Sequence, residues 1–239
     1  MEWSKFKDQF HESWHYKMKT FIESEQCDKI YDYLKKESRR GKQIAPLSNN
    51  TFRAFKKTKL DDLKVVMLGM CPYHTFKNGA PVADGLLMGC SVTGSLQPSL
   101  QMFYDGLERE LYNGLALEAK KSADVSYLAH QGVLMLNAAL TTEKNKAGSH
   151  IDLWEPFTIW VIENIINYTG VPIVFLGKDA ARYAQYVAPF TWTFTLSHPA
   201  SASYKNTEWD TQGVFKKVNS ILKENNGFSI DWLDTEPPF

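Results

Sequence analysis

The chain has no hydrophobic run approaching the ~20 residues a helix needs to span a bilayer. Its first ten residues, MEWSKFKDQF, interleave acids and bases around no apolar signal core. Cysteine is scarce: only Cys27, Cys71 and Cys90 occur, an odd number at spacings that offer neither a disulfide framework nor paired zinc ligands. An excess of one charge is missing too, because 27 basic residues balance 27 acidic ones. That balance removes the overall basic footprint common among nucleic-acid binders, yet a local basic groove can sit on a neutral surface, so DNA is not excluded. Internal repeats, low-complexity tracts and linkers are absent as well. The expectation is one domain, residues 1–239, in a cytoplasmic monomer (or a nucleoid or nuclear one, wherever its DNA is) that uses no membrane, metal or organic cofactor.

What is present is an alternation of apolar runs with helix-length segments. Residues 8–39 read as helical, with Phe10, Trp14, Met18, Phe21, Ile22, Ile30, Tyr31 and Leu34 recurring at helix spacing. Asp28 is the expected cap of the second of two helices, and Arg39-Arg40-Gly41 its close. Four short runs follow: Val65–Leu68, Val133–Leu136, Ile173–Leu176 and Trp192–Leu196. Runs apolar on both faces suit strands of a parallel sheet covered by helices. Between and after them lie segments 98–112, 155–167, 178–187 and 211–224, which read as helices. Strand and helix in alternation imply a four-stranded parallel sheet with right-handed crossovers, that is, a three-layer α/β/α domain. Trp154, Phe157 and Trp160 fall at helical spacing and read as core.

In such a sheet the site lies beyond the carboxyl ends of the strands. Each run is followed by a polar, punctuated segment: Gly69-Met70-Cys71-Pro72-Tyr73-His74, then Asn137-Ala138-Ala139-Leu140-Thr141, Gly177-Lys178, and Ser197-His198-Pro199-Ala200-Ser201-Ala202-Ser203. Their convergence would bring Cys71, Tyr73, His74, Asn137 and His198 into one crevice.

These segments resemble the signature of the family 1 uracil-DNA glycosylases, in one order over nearly the whole chain. Phe52 to His74 is similar to that family's approach to its G-Q-D-P-Y-H loop, and Gly132 to His150 to the strand and loop bearing its uracil-reading asparagine. WEPFTIWVIENI looks like the helix that follows, Ser197 to Tyr204 like its H-P-S-P-L-S loop, and Phe215 to Trp232 like its closing helix and I-D-W ending. The resemblance implies that a nucleotide is flipped out of the duplex and that Asn137 reads the Watson–Crick edge of its base with donor and acceptor together. It also implies that His198 donates to O2 as charge develops there, and that Tyr73 bars a 5-methyl group.

The departures gather at the chemistry. Cys71 stands where the family has the aspartate that positions the water, and a free thiol with pKa ~8.5 is mostly protonated at neutral pH. Met70 replaces the glutamine at the pocket floor. The stretch Thr75 to Cys90 is longer than its counterpart, leaving Met88 or Cys90 in place of the stacking phenylalanine, with Asp84 an internal candidate for the missing carboxylate. Pro98, Ser99, Ala200, Ser201, Ala202 and Tyr204 are expected to face the DNA. Of these, Ala200 replaces a serine that meets a phosphate, and Ala202 or Tyr204 occupies the place of the leucine wedge. The expected activity is hydrolysis of the N-glycosidic bond of uracil, slowed, or of a modified pyrimidine, with water held near Cys71 and His74. A catalytically silent uracil or DNA binder is the alternative, and an interaction protein that kept only the scaffold a third reading.

Overall fold

The four apolar runs become the strands of one parallel sheet in a computed structural model that describes residues 1–113 and 121–234. They are β1 (Val65–Gly69), β2 (Val133–Asn137), β3 (Ile173–Leu176) and β4 (Thr193–Leu196), in spatial order β2-β1-β3-β4, all parallel. Every residue of β1, β2 and β3 is buried, as strands covered by helices on both faces require. β4 departs from the expectation. It is an edge strand paired only with β3, Thr193 and Thr195 are exposed, and Trp192 lies outside it at 56% exposure. At this edge the face that carries Thr193 and Thr195 is left uncovered, so exposure alternates along the strand as its Thr-Phe-Thr-Leu sequence does.

The helices are α1 (His15–Ile22), α2 (Glu25–Arg39), α3 (Arg53–Lys57), α4 (Pro98–Tyr112), α5 (Ser126–His130), α6 (Ile151–Asn164), α7 (Lys178–Ala181), α8 (Pro199–Lys205) and α9 (Val214–Asn226). They flank the sheet: α2 packs on α6, while α4 packs on α8 and α9. One aromatic cluster joins Phe21, Phe52, Phe55, Trp154 and Phe157, and another joins Phe103, Trp209, Phe215 and Trp232. Trp160 is only partly buried, at the edge of the first cluster against Phe21.

Three local boundaries differ from the sequence expectation. α2 is capped by Ser24, whose Oγ accepts from the Cys27 N–H at 3.3 Å. Asp28 sits a full turn inside the helix, too late to cap it, and pairs instead with the N-terminal amine of Met1. α6 starts at Ile151 and tolerates Pro156 within it. The segment from Lys178 is a single α turn followed by a 3-10 stretch, Arg182–Tyr186.

The strand order decides where a ligand can sit. The chain leaves β1 toward β2 on one side and later builds β3 on the other, so the order reverses between β1 and β3. The crevice beyond the carboxyl ends of those two neighbours is the expected binding site of an open α/β sheet.

Candidate active site

A cavity of about 800 Å³ opens at that switch point, lined from β1 by Met70 to Thr75, from β3 by Leu176 to Asp179, and from β4 by Ser197 and His198. Its shape begins with Gly69. A Cβ there would meet the tip of the Leu87 side chain and stand 3.3 Å from Asn137 Oδ1, so any larger residue would make Leu87 give way. The turn after β1 is then tied to the β2 loop. The N–H groups of Ala138, Ala139 and Asn145 donate to the carbonyls of Gly69, Met70 and His74 at 2.8, 2.9 and 2.9 Å.

Cys71 faces the cavity, and its Sγ accepts from the Gly148 N–H at 3.3 Å. Burial pushes its thiol pKa up; that one hydrogen bond pulls down and the charge of Asp179 pushes up again. The group is a neutral thiol. Tyr73 lines the wall with its hydroxyl 2.6 Å from Ser99 Oγ at the start of α4, and burial drives its phenol well above the ordinary range. His74 also lines the cavity, and its Nδ1 is buried without a partner among the described residues.

His198 is the N-cap of α8, and its Nδ1 accepts from the Ala200 N–H at 3.1 Å. Because Nδ1 accepts, the proton of the neutral ring resides on Nε2. Burial lowers the imidazole pKa, so at neutral pH the ring is uncharged with one N–H to give. Asn137 closes β2, buried, with Oδ1 unpaired among the described residues. A buried amide oxygen without a partner costs on the order of 1–3 kcal/mol, a cost that a ligand's donor would remove.

The longer loop is organised by charge. Phe76–Lys77 and Ala80–Pro81 form a small hairpin around Asn78-Gly79, both with positive φ. Asp84 follows, 0% exposed, and it does not reach the cavity. Its carboxylate accepts from the N–H groups of Leu86 (3.0 Å) and Ser91 (3.1 Å) and the Ser91 hydroxyl (2.6 Å), and it pairs with Arg53 at 2.5 Å. Expected as a candidate catalytic acid, it lies outside the cavity lining, paired with Arg53 of α3. Beyond it Met88, at φ +59, lines the cavity with Leu87. Cys90 is fully buried outside the lining, its thiol pushed up to about 11 by burial.

Pro98, Ser99, Ala200, Ser201 and Tyr204 line the cavity or its rim. Ala202 does not: it is buried in α8, whereas Tyr204 is 89% exposed. Sequence reasoning stopped at Gly177-Lys178 on the third strand and missed Leu87, Asp179 and Lys205, all cavity-lining. For Asp179 a signal existed, since the rule that strand ends build the site extends two residues past Gly177. Among the described residues, no group of three or more His, Cys, Asp or Glu could hold a metal ion.

Fold and crevice define the class: a doubly wound α/β domain whose switch-point pocket is lined by a neutral imidazole and a tyrosine wall, with the unpaired Asn137 amide buried beside Gly69, outside that lining. The family model described as "Uracil DNA glycosylase superfamily" matches residues 55–223. Uracil-DNA glycosylase of Streptococcus pneumoniae (strain Hungary19A-6) is 34% identical over 227 residues, covering 93% of this chain and 99% of the relative. That of Acinetobacter baumannii (strain SDF) is 34% identical over 230 residues, covering 95% and 93%. The crystal structure of mimivirus uracil-DNA glycosylase shares the fold, with TM-score 0.81 at 24% identity over 97% of this chain and 89% of that one. The chain belongs to the uracil-DNA glycosylase superfamily.

Proposed function

We propose that this protein is a DNA glycosylase that hydrolyses the N-glycosidic bond of a flipped-out uracil in DNA and leaves an abasic site. The observation that carries the reading is His198: half-buried, neutral, held by the Ala200 N–H so that Nε2–H is its only donor, and lining the cavity. A neutral fixed donor suits an oxygen on which negative charge grows as the base leaves, and one preorganised donor of this kind is worth roughly 10²–10³ in rate.

The other groups divide the remaining work. Asn137 reads the base edge, and its unpaired Oδ1 takes the N3–H of uracil. Met88 and Leu87 supply the apolar wall against the base face, and methionine sulfur suits an aromatic partner. Tyr73, pinned by Ser99, cannot swing aside for a substituent at C5. That favours uracil over a 5-substituted pyrimidine as substrate. Lys178 and Lys205, exposed at the rim, meet phosphates and give a neutral protein its local basic surface. Tyr204, exposed beside them, fills the gap that the flipped nucleotide leaves in the stack, as apolar wedges do in other kinked duplexes. Pro98, Ala200 and Ser201 line the approach. The enzyme works as a monomer in the compartment that holds its DNA.

A second reading has one observation in its favour. The neutral thiol of Cys71 makes a poor water activator, as a silent uracil binder would have. Single-turnover excision from matched oligonucleotides carrying uracil, thymine, cytosine or a 5-substituted pyrimidine decides between them. Release of uracil, lost in His198→Ala, is the expected result. Tight binding of uracil-DNA with no abasic product would establish the silent binder, and release of a substituted base alone would refute the role given to Tyr73.

A further inference from the structure

Hydrolysis of a glycosidic bond builds positive charge on the sugar and needs an oriented water, so a carboxylate is the group to look for. Cys71 is neutral, and Asp84 is buried with its oxygens already occupied. Among the described residues that line the cavity, Asp179 is the one carboxylate. We propose that Asp179 is a catalytic residue, its carboxylate holding the attacking water and offsetting the charge that develops at C1′ of the flipped nucleotide. The proposal rests on the glycosylase reading.

Topology brings Asp179 to the right side of the crevice. β1 and β3 are paired neighbours, with Leu68 opposite Phe175, and adjacent strands lie ~4.7–4.9 Å apart. The turn Gly69-Met70-Cys71 leaves one and Gly177-Lys178-Asp179 leaves the other, so the two emerge side by side at the switch point. Gly177 keeps the second turn against the His198 loop. It has φ +90, and a Cβ on it would stand 3.2 Å from His198 Cβ. The charge of Asp179 is felt at the Cys71 sulfur, after the larger effects of burial and the Gly148 hydrogen bond. The carboxylate is exposed and makes no side-chain hydrogen bond or ion pair among the described residues, so it is free to take a water. A carboxylate on a face that receives phosphates repels them, a cost that a catalytic task would explain.

The step balances without a cofactor. The C1′–N1 bond breaks with its electron pair leaving on the uracil, whose O2 accepts from His198 Nε2–H. The oxygen of the water held by Asp179 forms the new bond to C1′ and gives its proton to the carboxylate, which passes it to bulk water. The uracil anion takes a proton from solvent, and the products are free uracil and an abasic hemiacetal.

The test is single-turnover uracil release at saturating protein, with a binding titration on the same DNA, for the intact chain and for Asp179→Asn, His198→Ala, Cys71→Asp and Cys71→Asp/Asp179→Asn. Asp179→Asn is expected to slow release roughly 10²–10³-fold, with uracil-DNA binding unchanged or tighter and the thermal midpoint unmoved. In the Cys71→Asp background a second carboxylate serves the water, and the same change costs less than about tenfold, the non-additivity expected of groups sharing one task. If Asp179→Asn releases uracil within a few-fold of the parent while His198→Ala is inactive, the proposal is overturned and the glycosylase reading stands. A parent chain that releases no uracil from any DNA overturns both.

Discussion

Replacing Asp84 by alanine separates structure from chemistry in the long loop. The change strips a fully buried carboxylate from Arg53, itself only 14% exposed, and orphans the N–H groups of Leu86 and Ser91 and the Ser91 hydroxyl. Removing one partner of a buried pair costs about 3–5 kcal/mol. Arg53 keeps the Asp84 carbonyl (3.3 Å), Ser91 Oγ (3.3 Å), Ser126 Oγ (3.2 Å) and Asp124 (3.4 Å), which puts the loss at the low end. A destabilisation of about 3 kcal/mol lowers the thermal midpoint of a chain this long by roughly 6–12 °C. Thermal melts read that shift, and the double replacement Arg53→Met/Asp84→Leu should lose less, since it leaves no buried charge unpaired. Single-turnover uracil release at low temperature, where the variant is folded, should stay within about tenfold of the parent at saturating protein. Binding weakens because Met88, four residues along, loses its anchor. An unmoved midpoint with a rate loss of roughly 10²-fold or more, the size of a lost catalytic group, would mean that Asp84 reaches the reacting atoms and that the structural assignment is wrong.

Stability should fall in mild acid. Burial lowers the pKa of both His150 and His198, so the unfolded chain takes up these protons first. The loss begins as pH drops through ~6.5 and continues to the lower folded values, by up to about 1.4 kcal/mol per pH unit for each histidine. A flat melting profile from pH 7.5 to 5.5, or one in which His198→Gln is as acid-sensitive as the parent, would contradict it. Tyr204→Ala should weaken binding of uracil-containing duplex by about 1–3 kcal/mol, the usual loss for a base-stacking aromatic. Ala202→Leu should not recover it, because that position is buried in α8; a titration showing recovery would make Ala202 the wedge position instead.

The apolar runs were legible because a strand covered on both faces has no polar position to spare. β1, β2 and β3 fall where the runs predict, and so does α4, opened by Pro98 at its first turn. Trp192–Leu196 reads with the other runs, although Thr193 and Thr195 alternate with its apolar residues, and β4 proves to have one neighbour and an open face. Whether a strand is an edge depends on sheet order, which local composition does not carry. Ser24 and Asp28 are both good caps in isolation, and the choice between them fell to where the helix could start against its neighbours. The ordered segments from Phe52 to Trp232 carried the family with them, together with the convergence of Cys71, Tyr73, His74 and His198 on one crevice.

What the sequence determined by itself is whatever is local or periodic: the strands, the alternating helices, and the glycines and polar turns at strand ends. The tertiary structure alone decided the fate of each carboxylate. Asp84 is held away from the cavity by an arginine 31 residues earlier, while Asp179 comes to line the cavity because β3 lies beside β1. It also decided that Met88 rather than Cys90 faces the pocket, and Tyr204 rather than Ala202 the solvent. Burial and pairing arise from chain segments distant in sequence meeting in space, so a charge's role is fixed by its neighbours in the fold and not by its neighbours in the chain.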